Sequence, residues 1–137
     1  MLVQPYLTFD GRCEEAVEFY RAALGAEVAM LIRYRDAPEP PPPGMVAPGS
    51  EDKIMHVSLR IGEATVMASD GGCRGAQRFD GFSLALIVPD ATAADRAFAA
   101  LAAGGEVQMP LGETFFSKRF GMVADRFGVA WMVNVAD

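Results

Sequence analysis

His56 is the one histidine of this chain, and imidazole is the side chain that ordinarily gains and loses a proton near neutral pH. It sits where Met55, Val57, Leu59 and Ile61 alternate with His56, Ser58 and Arg60, the period-two pattern of a half-buried strand. There it is either a hydrogen-bonded strand residue or a substrate contact and general base. Asp70 ends the next apolar run, and in a hairpin it would lie near His56. A carboxylate at that point either orients the imidazole as a dyad or closes a turn. Glu113 precedes a stretch carrying Phe115, Phe116 and Phe120. A carboxylate among aromatic rings can serve as an acid or base, and it can equally be an exposed surface charge. Asn134 interrupts the apolar run 129–135 and in a regular strand would face a cavity, where an amide recognises a ligand or bonds internally. Trp131, Met132 and Met67 suit the lining of an apolar site and suit core packing as well. The catalytic candidates are therefore His56, Asp70 and Glu113. The ligand-binding candidates are Phe115, Phe116, Trp131 and Asn134.

The elements that must position these residues occur twice. Gly25-Ala26-Glu27-Val28 returns as Gly104-Gly105-Glu106-Val107, 79 residues later, and the same shift brings Phe19 onto Phe98 and Leu7 onto Leu86. Ile61-Gly62 returns as Phe127-Gly128 at a shift of 66, each followed by an apolar run. Each copy reads strand, helix, Gly, strand, strand, strand. A half this short buries little core alone, so the copies are expected to pair and to form a concave wall. The first strand is expected over 2–9, interrupted by Pro5. Apolar residues at 13, 16, 17, 20 and 24 form one helical stripe that Gly25 ends. That stripe makes Cys13 a buried, inert thiol. In the second copy Asp90 or Thr92 caps a helix with the stripe Ala94, Ala97, Phe98 and Leu101, ended by Gly104-Gly105. Between the second and third strands, residues 36–52 include Pro38, Pro40 to Pro43 and Pro48. Such a segment makes an irregular loop of polyproline character: disordered, a flap, or an arm for a partner.

Bulk composition narrows the function. A chain of 137 residues, 51% hydrophobic, makes one domain over 1–137, with modules at about 1–72 and 80–137. Its net charge of −6 and lack of a basic run argue against nucleic acid. No apolar stretch reaches the roughly 20 residues of a membrane span, and no signal-peptide pattern opens the chain, so no membrane partner is expected and the cytoplasm is the expected compartment. Cys13 and Cys73, without a CxxC, indicate neither a disulfide framework nor a zinc knuckle. No glycine-rich nucleotide-binding turn follows a strand.

Several motifs together resemble a known superfamily. They are Pro5-Tyr6-Leu7-x-Phe9-x-Gly11, Glu15-Ala16-x-x-Phe19-Tyr20, Leu24-Gly25, Ile54-Met55-His56, Met67-Ala68-Ser69-Asp70, Glu113-Thr114-Phe115-Phe116 and the run from Asp125 to Asn134. This pattern is similar to the vicinal oxygen chelate superfamily of glyoxalases, bleomycin-resistance proteins and dioxygenases, and within it to the PhnB-like branch. One departure is Phe116, where the branch usually carries Trp. The resemblance implies an α+β fold of two βαβββ modules with a curved mixed sheet, a small-molecule ligand and a homodimer. Exposed edge strands argue for the dimer too, with the proline-rich loop reaching the partner chain. Superfamily enzymes hold a divalent metal with His, Glu or Gln from the first and last strands of each module. Those positions fall here near Pro5, Leu84, Val66 and Met132, and a slip of one residue offers only Gln4 and Ser83. No metal and no other cofactor is expected. Three functions stay open: an enzyme of unknown reaction that dispenses with the usual metal or uses an unrecognised one, a non-catalytic small-molecule binding or resistance protein, and a glyoxalase- or extradiol-dioxygenase-like metalloenzyme. The missing ligands count against the third.

Overall fold

The computed structural model of the protein describes residues 1–75 and 77–136. The chain forms two compact units, Met1–Gln77 and Arg78–Asp137, so the boundary falls within the glycine-rich crossover.

The first unit runs β1 (Tyr6–Thr8), α1 (Cys13–Leu24), β2 (Glu27–Arg33), a single 3-10 turn (Tyr34–Asp36), β3 (Ile54–Ile61) and β4 (Ala64–Ser69). Its four-stranded sheet has the order β1-β4-β3-β2, with β1 parallel to β4 and the other pairs antiparallel. The second unit repeats this as β5 (Leu84–Val88), α2 (Ala91–Ala102), β6 (Glu106–Gly112), β7 (Phe120–Ala124) and β8 (Ala130–Val135), in the order β5-β8-β7-β6. Two βαβββ modules are thus present, each an open mixed sheet with one helix.

Burial alternates along β1, β7 and β8 and over most of β3 and β4, as a one-sided sheet requires, while the edge strands β2 and β6 are largely exposed. Leu7, Val57, Leu59, Val66 and Ala68 are buried with the α1 residues Cys13, Ala16, Val17 and Tyr20. In the second unit Val123, Trp131 and Val133 are buried with Ala94, Ala97, Phe98 and Leu101 of α2. Gly121 belongs to the same face. A Cβ there would lie 2.7 Å from the Phe98 ring, so glycine makes the room that this ring fills.

The helix termini are secured differently. Gly25 takes the left-handed conformation at the end of α1, as the sequence predicts. Ala103 ends α2, with left-handed Gly104 following, so the second helix ends a residue before the glycine pair begins. Asp90 caps α2 by accepting from the Ala93 N–H at 2.8 Å, and Thr92 lies inside the helix. The first strand is shorter than expected: Pro5 lies outside it, and its carbonyl accepts from the Met67 N–H.

The repeat keeps the shift of 79 for Leu7 and Leu86, but not 66 for the closing strands. Leu7 pairs with Ala68 as Leu86 pairs with Val133, a shift of 65 for β4 and β8. Val57 pairs with Ala68 as Gly121 pairs with Val133, a shift of 64 for β3 and β7. The two turn glycines are misleading landmarks because the turns differ in length. Ile61 pairs directly with Ala64, whereas Ala124 pairs with Ala130 across a longer turn built on Asp125.

The proline-rich segment is tied to its own unit. Tyr34 and Arg35 donate backbone N–H groups to Lys53 and Glu51, the Ala47 N–H bonds the Gly72 carbonyl, and Arg35 pairs with Asp52. Beneath it lies a cavity of about 480 Å³ with Tyr34, Pro40, Pro41, Val46 and Pro48 in its wall.

Candidate functional site

On the first unit's sheet, the side opposite the buried face carries Tyr6, Thr8, His56, Ser58, Arg60, Thr65 and Met67. The register sets three of them in a row, because Tyr6 pairs with Met67 and Met67 with Ser58. His56 precedes Ser58 by two residues and shares its face. The imidazole sits between two hydroxyls: Nδ1 lies 3.2 Å from the Tyr6 hydroxyl and Nε2 lies 3.2 Å from Ser58 Oγ. The Tyr6 and His56 rings are 5.6 Å apart and tilted. His56 and Ser58 are half-buried and Tyr6 is exposed.

Asp70 does not join this group as the orienting half of a dyad. Its Oδ1 accepts from the Cys13 N–H and its Oδ2 from the Ile54 N–H, both at 2.7 Å. The carboxylate is 1% exposed and spans two backbone segments, so its role here is structural. It supplies the N-terminal partner that α1 lacks locally, since Arg12 makes no side-chain cap, and it places negative charge where the helix dipole favours it. The same burial and charge push the Cys13 thiol up to about 12, with desolvation the larger cause and Asp70 next. A thiol held protonated is a poor nucleophile, in keeping with an inert Cys13.

The second unit gathers a different set. The Thr114 N–H bonds the Ser117 carbonyl at 2.9 Å, closing a turn whose tip is Phe115 and Phe116. Phe115 and Phe116 meet edge-on with centroids 5.1 Å apart, and Phe116 meets Phe120 at 5.0 Å. Phe120 is the cross-strand neighbour of Asn134. The aromatic turn lines an open depression of about 350 Å³, with exposed Glu113 and Lys118 also in its wall. Asn134 Oδ1 is buried and has no hydrogen-bond partner among the described residues. An orphaned buried acceptor costs roughly 1–3 kcal/mol.

Trp131 stands apart from Asn134. It is 4% exposed, pairs with Val123 on the face that meets α2, and donates Nε1–H to Asp125 Oδ2 at 2.9 Å. Strand alternation puts it and Asn134 on opposite sides of the sheet, so the ligand-binding assignment of Trp131 gives way to a core role. Asp125, itself 3% exposed, also accepts from the Phe127 and Val129 N–H groups and so shapes the turn before β8.

Sequence reasoning missed Tyr6 and Ser58. Ser58 was visible as the polar neighbour of His56 in the alternating strand. Tyr6 comes from another strand, and only the sheet register brings it to the imidazole.

The positions that would hold a superfamily metal offer no donor set for one. Val66 and Leu84 lie on the helix-facing sides of their strands, as their pairing with Leu59 and Trp131 requires. The residues that replace them on the open faces are Tyr6 and Met67 in one unit, and Ala85 and Met132 in the other. Hard and borderline divalent ions take imidazole, carboxylate or carbonyl ligands in a fixed geometry. One alanine, two thioethers and a phenol already bonded to His56 do not supply that set. Among the described residues no three His, Cys, Asp or Glu side chains cluster as a metal site.

Comparison with known proteins bears on the whole chain. The family model for the Glyoxalase/Bleomycin resistance protein/Dioxygenase superfamily matches residues 3–133. Protein YjdN of Escherichia coli (strain K12) is 37% identical over 142 residues, spanning 98% of this chain and 95% of its own length. The crystal structure of protein PA1353 from Pseudomonas aeruginosa is 43% identical, with a TM-score of 0.85 and coverage of 98% of this chain and 97% of that one. PhnB protein from Bacillus cereus is 28% identical, with a TM-score of 0.81 and coverage of 99% and 100%.

Proposed function

The chain belongs to the Glyoxalase/Bleomycin resistance protein/Dioxygenase superfamily, in its PhnB-like branch, and from that premise we propose that it binds a small organic molecule without a metal. The observation that carries this reading is the Oδ1 of Asn134, unpartnered among the described residues, next to Phe120 and through it the Phe115–Phe116 pair. An acceptor left unpaired at such cost is relieved by a ligand N–H or O–H, while edge-exposed rings favour a planar apolar body. The ligand class is therefore an aromatic compound bearing one hydroxyl or amine donor. The donor chemistry above weighs against a glyoxalase- or dioxygenase-like metalloenzyme. The reading covers both a binding or resistance protein and an enzyme whose reaction needs no metal, with Glu113 at the rim as a candidate acid or base.

The test uses 2-naphthol as the probe, followed by its own fluorescence. Wild-type protein is expected to bind it, Asn134→Leu to weaken binding about tenfold, the equivalent of roughly 1.4 kcal/mol, and Phe116→Ala to weaken it further. Absence of binding, or equal affinity in all three proteins, overturns the reading. We place the protein in the cytoplasm as a two-fold homodimer. The edge strands β2 and β6 expose Val28 and Met30, and Val107 and Met109, and paired apolar edges favour association. Light scattering at micromolar concentration checks the assembly, and a monomer mass refutes it. No helix among the described residues is long and apolar enough to cross a membrane.

A further inference from the structure

We infer that Tyr6, His56 and Ser58 form a proton relay that interconverts the keto and enol forms of a small neutral ketone on the open face of the first unit. This goes beyond the binding reading and does not depend on it, because it uses none of the same residues.

The argument starts from the two contacts of the imidazole, 3.2 Å on each side. A neutral imidazole carries one N–H and one lone pair. The hydroxyl at the N–H side must accept, which leaves its own hydrogen pointing outward. The hydroxyl at the lone-pair side must donate, which leaves its oxygen lone pairs free. In either tautomer, then, the face presents one outward donor and one outward acceptor. Exchanging the tautomer exchanges their places.

That exchange is what a keto–enol conversion requires. With the proton on Nδ1, the Tyr6 hydroxyl gives its proton to the carbonyl oxygen of the ketone, and Nδ1–H replaces it. At the other side Nε2 takes the Ser58 proton, and Ser58 Oγ takes the proton from the carbon next to the carbonyl. The electron pair of that C–H bond becomes the new C=C bond, and the π pair of the carbonyl forms the new O–H bond. All three side chains end neutral, with the imidazole proton moved from Nδ1 to Nε2. The reverse conversion resets the array, as does gain of a proton at Nδ1 through the Tyr6 hydroxyl together with loss of the Nε2 proton through the Ser58 hydroxyl. No net charge appears on the protein at any point, so no metal and no buried counter-ion is called for. Both hydroxyls touch substrate, and His56 acts through them.

The experiment follows ketonisation of acetylacetone, whose enol absorbs in the near ultraviolet, after dilution from an apolar solvent. Wild-type protein is expected to accelerate the decay over buffer. Tyr6→Phe and Ser58→Ala are each expected to cut the protein-dependent rate about a hundredfold, the lower end of general acid–base contributions, while Ser58→Thr keeps it. The decisive variant is His56→Gln. Its amide bonds both hydroxyls but cannot pass a proton from one nitrogen to another, so it is expected to keep KM and lose kcat. Circular dichroism and thermal melting report whether each variant folds. Tyr6 is 48% exposed, so loss of its hydroxyl leaves the core untouched. No acceleration by wild-type protein, or full activity in His56→Gln, overturns the relay.

Discussion

The two units fold the same chain order into the same sheet order, yet they cap their helices with carboxylates from different places. In the second, Asp90 stands at the start of α2 and bonds Ala93 three residues on. In the first, the corresponding residue is Arg12, and the carboxylate comes from Asp70, 57 residues beyond the N–H it accepts from. The residue matching Asp70 in the second unit is Val135, a core residue. One unit thus has a local cap, and the other has a cap that also grips the first residue of β3. A local cap stabilises a helix. A distant one makes the helix, β3 and β4 depend on one another.

The open faces diverge as well. Tyr6, His56 and Ser58 in the first unit correspond to Ala85, Phe120 and Met122 in the second. The helix-facing sides stay apolar in both, because any polar group there would lose its water. The open side carries no such constraint, and there one copy has become a hydrogen-bonding surface and the other an aromatic and thioether one.

The sharpest way to break this comparison is to remove the two caps in turn. Asp70→Ala leaves two buried N–H groups without partners, at roughly 1–3 kcal/mol each, so a loss of about 3 kcal/mol is expected in urea unfolding. Asp90→Ala removes one exposed cap, for about 1 kcal/mol. Equal losses would mean that the long-range grip adds nothing to the cap.

Cys13 sharpens the same contrast through pH, since the second helix carries no thiol. Its thiol ordinarily ionises near 9.0 and in the folded protein near 12. Between those values the unfolded chain has released the proton and the folded chain still holds it. Raising the pH therefore favours unfolding, by up to about 1.4 kcal/mol per pH unit. Below pH 9 the group contributes no slope. Urea titrations from pH 8 to 10.5 are expected to show the decline in wild-type protein and a flatter profile in Cys13→Ala. Parallel profiles would remove the thiol from the account.

Much of this was legible from residue pattern alone. The helix over 13–24, the strand over 54–61 and the duplicated order follow from periodicity that local backbone geometry enforces. Most of the failures share a cause: they depended on register between segments far apart. Gly62 and Gly128 look equivalent, but one turn is tight and the other is enlarged around Asp125, so the shift of 66 pointed to Val66 rather than Met67 on the open face. Trp131 is the exception: it and Asn134 are three residues apart in one strand, and alternation alone places them on opposite sides. Asp70 read as a partner for His56 because hairpin proximity was visible while the two N–H groups aimed at its carboxylate were not. Tyr6 was invisible as a partner for the same reason.

The smallest expected effect has the most informative sign. Ser69 and Asn134 occupy matching places at the ends of β4 and β8. Ser69 Oγ accepts from the Gly71 N–H at 3.2 Å, so Ser69→Ala is expected to cost about 1 kcal/mol, the ordinary value of one hydrogen bond. Asn134 Oδ1 bonds nothing among the described residues. Asn134→Leu removes that orphan and keeps similar volume, so unfolding free energy should rise by about 1 kcal/mol. Matching positions would then respond with opposite signs, which is what a residue retained for a ligand predicts and a residue retained for stability does not. If Asn134→Leu instead destabilises the protein as Ser69→Ala does, the amide is part of the fold, and the ligand assignment of the second unit's open face fails with it.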